Sequence, residues 1–578
     1  MHSTYAFPKY PYRRPAELGA SSAARHPVVI AGAGPVGMCA AIDLAQRGVP
    51  VVILDDEDTV SVGSRAVCYA KRTLEILDRL GCGEPVTRQG VSWNVGRTYL
   101  RDAEVYRFDL QPDPDHHRPG MVNLQQYYLE EDLVRRMSEL PAIDMRWKSE
   151  VVSVARSDDG VELEVETPDG RYPLHADWLI VADGARSPIR KMFGLDVEGK
   201  VFQDRFLIAD IVMKADFPAE RRFWFDPPFH PGLSVLLHKQ AASVWRIDWQ
   251  LGWDADPEEE KRPERVVPRI RAMLGEQVEF ELEWLSVYTF QCRRMKQFRH
   301  GRLLFVGDAA HQVSPFGARG ANSGIQDVDN LGWKLAMVLA GQAPEALLDS
   351  YDLERVLAAD ENIVNSTRST DFITPKSSIS KTFRNATLAL AKDYPFARAL
   401  VNSGRLSVPT FYANSPLNTQ DGEPFVGRMM PGAPMEDAPV TVDDRPGWLL
   451  EQVGGRFHAL VFASDPSLLS AATLAAFGAL REEGIPIDAT VIADLPGRAG
   501  SARVLIDARG VVSRRYDARD GTTYVIRPDQ HVCARFRDFH PDKIRRAVEL
   551  ATGNEWAAGR RWAIDAVASS AATQGAIR

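Results

Sequence analysis

Near its start the chain carries a string that few folds can accommodate. An apolar run, Val28 to Ala31, leads into Gly32-Ala-Gly-Pro-Val-Gly37 and then into a helical pattern, MCAAIDLAQRG, closed by Gly48. This predicts strand, tight turn, helix. Gly32 permits the turn, Gly34 lets a pyrophosphate approach the backbone, and Gly37 lets the helix pack closely on the strand. The helix N-terminus then offers free N–H groups to the phosphates. A second apolar run, Val51 to Leu54, ends at Asp55, placed to accept hydrogen bonds from an adenosine ribose. Together these elements predict a dinucleotide site, although the motif alone does not separate FAD from NAD.

Two later segments decide between them. After the apolar run Trp178 to Ala182 comes Asp183-Gly-Ala-Arg-Ser-Pro-Ile-Arg190, which by itself reads equally well as a surface turn. Further on, the strand-like Arg302 to Val306 runs into Gly307-Asp-Ala-Ala-His311, with Asp308 at the strand's carboxyl end, where ligands collect in open α/β sheets. Pro315-Phe-Gly-Ala-Arg-Gly-Ala-Asn-Ser-Gly324 follows. It precedes a long amphipathic pattern through Ile325, Val328, Leu331, Leu335 and Val338, so a second helix N-terminus faces the same ligand. One reading unites these facts. The first turn holds the adenosine-side phosphates, Asp308 binds a ribityl chain, and the second helix start lies near a flavin pyrimidine, where its partial positive charge stabilises an anionic reduced flavin.

In these strings the chain closely resembles the class A flavoprotein monooxygenases, aromatic hydroxylases of the para-hydroxybenzoate hydroxylase fold. GAGPVG, DGARSPIR and GDAAH match that family's three fingerprints in order. The resemblance implies that Gly32, Gly34, Gly37 and Asp55 bind the ADP half of FAD, although Glu is commoner at the last position. It implies that Arg65 and Gln126 touch FAD, that Asp183 and Gly184 serve both FAD and the nicotinamide nucleotide, and that Asp308 takes the ribityl hydroxyls. Pro315, Gly320 and Asn322 would lie close to the isoalloxazine. Where the family usually has Gly-Gln-Gly, this chain has Gly317-Ala-Arg-Gly320. Arg319 therefore either tunes the flavin or points to solvent. For His311, packing or capping is favoured over a catalytic role.

Between the second and third fingerprints, Phe206 to Met213, Phe223 to Phe225, Ser234 to His238 and Val244 to Leu251 read as an antiparallel sheet. In the resembled family such a sheet forms the substrate pocket. Alternation over Val244 to Gln250 puts Trp245, Ile247 and Trp249 on one face and Arg246, Asp248 and Gln250 on the other. The aromatic face is a candidate lining for a flat ring, and Arg246 or His238 a candidate partner for an acidic substituent. Tyr288 and Arg293 are further candidates, beside the blander reading of one packed and one solvated face.

The expected architecture is α/β. A Rossmann-type FAD-binding domain (28–200 and 285–405) is interleaved with an antiparallel-sheet substrate domain (201–284, with parts of 85–125). An N-terminal extension (1–27), either flexible or an ordered arm, precedes them. A Pro- and Gly-rich linker (406–445) follows, and then a tail (446–578) that resembles the thioredoxin-like C-terminal domain of the phenol hydroxylase and hydroxyphenylpropionate hydroxylase branch. That tail contains only Cys533, so it cannot perform dithiol exchange, and a structural role or homodimer formation is expected.

The net charge of −9 without a long basic run argues against nucleic acid or an anionic membrane as partner. Five scattered cysteines and no continuous apolar signal point to a reduced, cytoplasmic protein. No ligand spacing for a metal is found. The resemblance implies a reaction in which NADH or NADPH reduces FAD and reduced flavin meets O2 to form a C4a-hydroperoxide, which hydroxylates a phenolic ring. The alternatives are a related FAD oxidoreductase (reductase, epoxidase or another oxygenase acting on a non-phenolic substrate) or a flavin-binding module without turnover.

Overall fold

The computed structural model describes residues 5–20, 22–63, 65–157, 159–215, 217–401 and 406–555. The start of the expected extension and residues 556–578 of the expected C-terminal domain lie outside the described residues. The chain divides into two compact units. One comprises Met1–Pro114, Arg118–Asp329 and Arg355–Val408, the other Asp115–His117, Asn330–Glu354 and Pro409–Arg578.

The first unit is built on two large sheets. In one, Leu303–Phe305, Gly170–Val181, Ala24–Ala31, Val51–Leu54 and Ile143–Arg146 lie side by side and parallel. Val28 to Ala31 and Val51 to Leu54 are buried at every position, as a parallel sheet covered on both faces requires. Helix Pro35–Gln46 follows the first strand, with proline in its first turn and Met38 to Leu44 buried.

The second sheet has eight strands, including Glu281–Met295, Val197–Val212, Val244–Leu251, Ser234–Lys239, Arg221–Phe225 and Val95–Leu100 in that spatial order. Its two faces differ in what covers them. On the back, Trp245, Ile247 and Trp249 join Leu207, Ala209, Ile211, Val235 and Leu237, and helix Pro263–Leu274 closes this layer with Val266 and Ile270. On the front, Phe206, Phe223, Phe225, Leu236 and Phe290 form a cluster with Phe316 of the third motif's glycine loop. The tryptophan face therefore packs against a helix and does not line a ring pocket. The alternation of the strand is as expected, but the face turned to the motifs is the one bearing Arg246, Asp248 and Gln250.

The N-terminal stretch is an ordered arm. Tyr5 stacks on Tyr127 at 4.2 Å between ring centroids and donates to Glu131 Oε2 at 3.0 Å. Tyr10 stacks on Trp147, and its N–H reaches the carbonyl of Asp58.

In the second unit, Phe457–Phe462, Ile487–Ala493 and Arg503–Ile506 are parallel, and Thr523–Ile526 and Val532–Phe536 add an antiparallel hairpin. Helices Ala471–Glu482 and Pro541–Ala551 fall where the apolar spacing puts them. The Pro- and Gly-rich stretch before this sheet is bonded along its hairpin: Thr419, Gly432 and Met435 donate their N–H groups to the carbonyls of Cys533, Val532 and Gln530. A buried charge cluster ties the same stretch down. Glu354 accepts from Ser415 Oγ, Lys334 Nζ, Asn330 Nδ2 and both terminal nitrogens of Arg527, and Arg527 also pairs with Asp529.

Candidate functional site

The three sequence motifs stand at the carboxyl ends of three adjacent parallel strands. Ala31 pairs with Val181, and Val181 with Phe305, so Gly32, Ala182 and Val306 leave the sheet next to one another. Gly32 has φ +103°, and a Cβ there would lie 2.5 Å from the carbonyl oxygen of Ala182. The first motif thus closes directly on the second. Val36 does the same for the third: a Cβ on Gly324 would come within 2.6 Å of a Val36 methyl and 3.1 Å of Gly307 Cα. Both glycine turns and both helix starts consequently share one neighbourhood.

Side chains lock this arrangement. Arg190 is buried and donates to the carbonyls of Ala185 and Ala309, stapling the second motif to the third. Gln312 donates to the carbonyls of Ala185 and Asp308 and accepts from Arg293 Nε. Arg293 therefore supports the scaffold behind the motifs. His311 pairs with Asp327 at 2.6 Å, and Asp327 also accepts from Arg355 and the N–H of Gly307. The histidine holds its own turn in place, as packing and capping considerations favour. The roles of Arg190 and Gln312 are absent from the sequence reading, since nothing in residue type marks an arginine as a donor to distant carbonyls.

These residues fit an FAD. A Cβ on Gly34 would meet no atom within 4 Å, so the approach to the first helix start is clear where a pyrophosphate would sit. Asp55 Oδ2 accepts from the N–H of Ala33 at 2.5 Å and Oδ1 from Glu57, which aims the carboxylate beside that turn. Burial pushes its pKa up to about 6 against these two hydrogen bonds. Asp183 keeps one buried oxygen unpartnered, and burial likewise raises its pKa. It stands beside Gly184, which has φ +76°. Gln126 accepts from the N–H of Ala66 and donates to Ser61 and Glu130, fixing the loop that carries Arg65. Arg65 and Asp308 are both exposed. Crowding by protein raises the pKa of Asp308, while His311, Arg65 and Arg190 oppose that rise.

Pro315 opens the glycine loop, and Gly320 starts the second helix. Asn322 accepts from the N–H of Ala70 and donates to the carbonyls of Cys68 and Ala318, joining the Cys68–Ala70 strand to that helix start. Arg319 is buried with its guanidinium turned back on the carbonyl of Phe316, so it does not point to solvent.

On the sheet front, a cleft of about 30 Å³ is lined by Thr98, Arg221, Phe223, Phe316 and Gly317 among others. That is room for about one water, so a ring enters only as these side chains shift. A larger hollow of about 530 Å³, between Val267 and Leu282, belongs to the helix-covered back of the sheet.

Arg246 is clamped by Asp210, with Nε and Nη2 at 2.8 and 2.7 Å from its two oxygens, so its charge is already matched within the sheet. Tyr288 feels Asp308, Arg65 and Arg246, which places it where sheet and motifs meet, and burial raises its pKa. His238 is buried, lies 3.8 Å from Cys68 Sγ, and is held far below the ordinary histidine range by burial and by the charges of Arg221 and Arg246. Arg221, missed from the sequence, is one of two arginines bordering the cleft, with Arg97; its contact there is with Cys68 Sγ, at 3.8 Å.

Comparison with known proteins agrees with this geometry. Residues 25–366 match the FAD binding domain family. The chain is 28% identical over 546 residues to a 3-(3-hydroxy-phenyl)propionate/3-hydroxycinnamic acid hydroxylase of Mycolicibacterium smegmatis, covering 91% of this chain and 92% of that one. It is 30% identical over 520 residues to the 6-methylpretetramide 4-monooxygenase of Streptomyces rimosus, covering 88% and 90%. Its fold is similar to that of the flavin-dependent monooxygenase PieE, solved with FAD and substrate, with a TM-score of 0.76 at 22% identity over 91% of this chain and 98% of that one. With three motifs converging at the ends of three adjacent parallel strands and a sheet cleft lined by the third motif's loop, the chain belongs to the FAD binding domain family, among the class A FAD-dependent aromatic monooxygenases.

Proposed function

We propose that the protein uses NAD(P)H and O2 to hydroxylate a phenolic ring held in the cleft between the second sheet and the Phe316–Gly317 loop. The observation that carries this reading is the placement of Thr98, Arg221 and Phe223 opposite Phe316 and Gly317, directly ahead of the second helix start. The chemistry that FAD supplies when bound is two-electron reduction by NAD(P)H and activation of dioxygen. Gly32, Gly34 and Gly37 would admit the pyrophosphate, Asp55 the ribose, Asp308 the ribityl chain, and the loop from Pro315 to Asn322 the ring system. The protein's own task is to hold the substrate ring flat among Phe206, Phe223 and Phe316 and to keep water out.

Among the described residues no helix is long and apolar enough to cross a membrane. With the reduced cysteines, this supports a cytoplasmic location. The parallel strands and antiparallel hairpin of the second unit support a thioredoxin-like domain over 446–578, with homodimer formation as its role.

The purified protein is expected to be yellow, and its NAD(P)H oxidation and O2 uptake should rise when phenols are added, with a hydroxylated product by mass spectrometry. A yellow protein whose NAD(P)H oxidation ignores every phenol would instead support an oxidoreductase with a non-phenolic substrate.

A further inference from the structure

The front of the second sheet carries buried polar atoms with no partner, and they stand together. One row crosses six strands from Thr98 through Phe223, Leu236, Asp248 and Ile208 to Ser286. Its ends are hydroxyls, its middle is apolar, and its single charged group is Asp248. Thr98 Oγ and Asp248 Oδ1 are both buried without a hydrogen bond. In the adjacent row His238 pairs with Arg246, and Arg246 with Asp210. There His238 Nε2 is a third buried, unpartnered atom.

The hydrogen-bond character of that histidine can be worked out. Trp93 Nε1, which only donates, points at Asn123 Oδ1 at 2.8 Å. Asn123 Nδ2 must then be the amide's other end, and it donates to the carbonyl of Lys239 at 2.8 Å. The same nitrogen lies 3.3 Å from His238 Nδ1, which must therefore accept. With Nδ1 accepting and the ring kept neutral, the proton sits on Nε2. His238 thus presents a buried N–H with nothing to bond. Arg221 stands on the same face and borders the cleft, bringing further donors.

A lone acceptor beside the unused N–H of His238 and the guanidinium of Arg221, which borders the narrow cleft, matches the needs of one functional group. We propose that Asp248 is the proton acceptor for the substrate's phenolic hydroxyl, and that Arg221 and the Nε2–H of His238 hold the phenolate oxygen formed. The O–H bond of the phenol breaks and one proton passes to the Asp248 carboxylate, giving a phenolate and a neutral carboxyl group. No electrons leave either partner in this step. The inference rests on the phenol-hydroxylating reading above.

The groups facing Asp248 are Arg246 on its own strand, Asp210 and His238 on the two adjacent strands, Arg221 one strand further, and Cys68 from the Cys68–Ala70 strand of a separate three-stranded sheet. Their sum leaves burial in charge: the Asp248 pKa is pushed up to about 6, with Arg246 and Arg221 restraining it and Asp210 adding to it. A carboxylate of that basicity is ionised at neutral pH and still accepts a proton more readily than an exposed one.

The test uses the holoenzyme with phenol, para-chlorophenol and para-nitrophenol, which become steadily more acidic. Asp248→Asn is expected to keep its FAD and its rate of flavin reduction by NAD(P)H. Its hydroxylation rate at pH 7 should fall about 100-fold or more with phenol, but by no more than about fivefold with para-nitrophenol, which ionises without help. An equal loss across the series, or no loss with phenol, would overturn the assignment while leaving the hydroxylase reading intact. Should the wild type hydroxylate none of the phenols, that reading itself falls. If the asparagine variant does not retain FAD, the wild type decides. Its kcat/KM for phenol must climb through an ionisation near pH 6, and a flat profile there rejects Asp248 as the acceptor.

Discussion

Asp55 shows how one side chain reports on cofactor binding. Its carboxylate accepts two backbone N–H bonds yet is buried enough to titrate at about 6. A ribose diol donates more strongly to the ionised form, which can accept at both oxygens, so binding must pull that pKa down, and by linkage a fall in pH must weaken binding. The sign follows: affinity for FAD is full above pH 6 and drops by up to about tenfold for each pH unit below it, until the bound-state pKa is reached. Flavin fluorescence titrations at pH 5 and 7.5 should show this difference, and Asp55→Asn should bind weakly at both values with little change between them. The acid at this place is legible from its position after the second strand. The pKa is not, because it depends on how Ala33 and the chain around Glu57 enclose it.

At the scale of elements, the glycine motifs and the strands of the parallel sheet were readable because each is a local pattern. What the alternation in Val244–Leu251 could not reveal is which face looks toward the motifs. That choice is made by helix Pro263–Leu274, which covers the tryptophans, and by partners such as Asp210, which takes Arg246 from another strand 36 residues away. His238 escaped full reading for the same reason, since its proton is placed by Trp93 and Asn123 on segments far from it in sequence. The convergence of the motifs depends on close backbone approach, and Gly324 tests it. Gly324→Ala would push a Cβ against Val36 and Gly307, moving the second helix start away from the groove. We expect the variant to lose about tenfold or more in FAD retention after gel filtration, each factor of ten being about 1.4 kcal/mol. Val36→Ala in the same chain should restore part of it by removing the methyls that the new Cβ meets.

At the scale of the whole molecule, the Glu354 cluster is the feature on which long-range order depends most visibly. It joins side chains from two helices, the Pro- and Gly-rich stretch and the C-terminal hairpin, all buried in the second unit. Burial disfavours the charge of Glu354, but Arg527 and Lys334 overcome that and hold its pKa well below the ordinary range. A depressed acid contributes stability above its unfolded pKa, about 4.3, and that contribution is lost as pH falls toward the folded value. Lys334 behaves oppositely: burial lowers it to about 8, so folding gains as pH rises from there toward the unfolded lysine value of about 10.4. Glu354→Gln, which leaves Arg527 and Lys334 short of a countercharge, is expected to cost about 3–5 kcal/mol. Lys334→Met should cost clearly less, since the lysine's charge is already disfavoured. Denaturant unfolding at pH 7 checks the order, and equal losses would contradict it.

The N-terminal arm has a consequence in time. Tyr5 and its partner Glu131 are 126 residues apart, and Tyr10 rests on Trp147. On a growing chain the arm emerges long before the surface it covers exists, so closing so long a loop must follow the making of helix Gln126–Ser138. Until then its tyrosines lack the surface they pack on in the folded chain. Once settled, the arm lies across the helix that begins with Gln126, so an early-made segment becomes a late cover for the helix whose first residue braces the loop carrying Arg65.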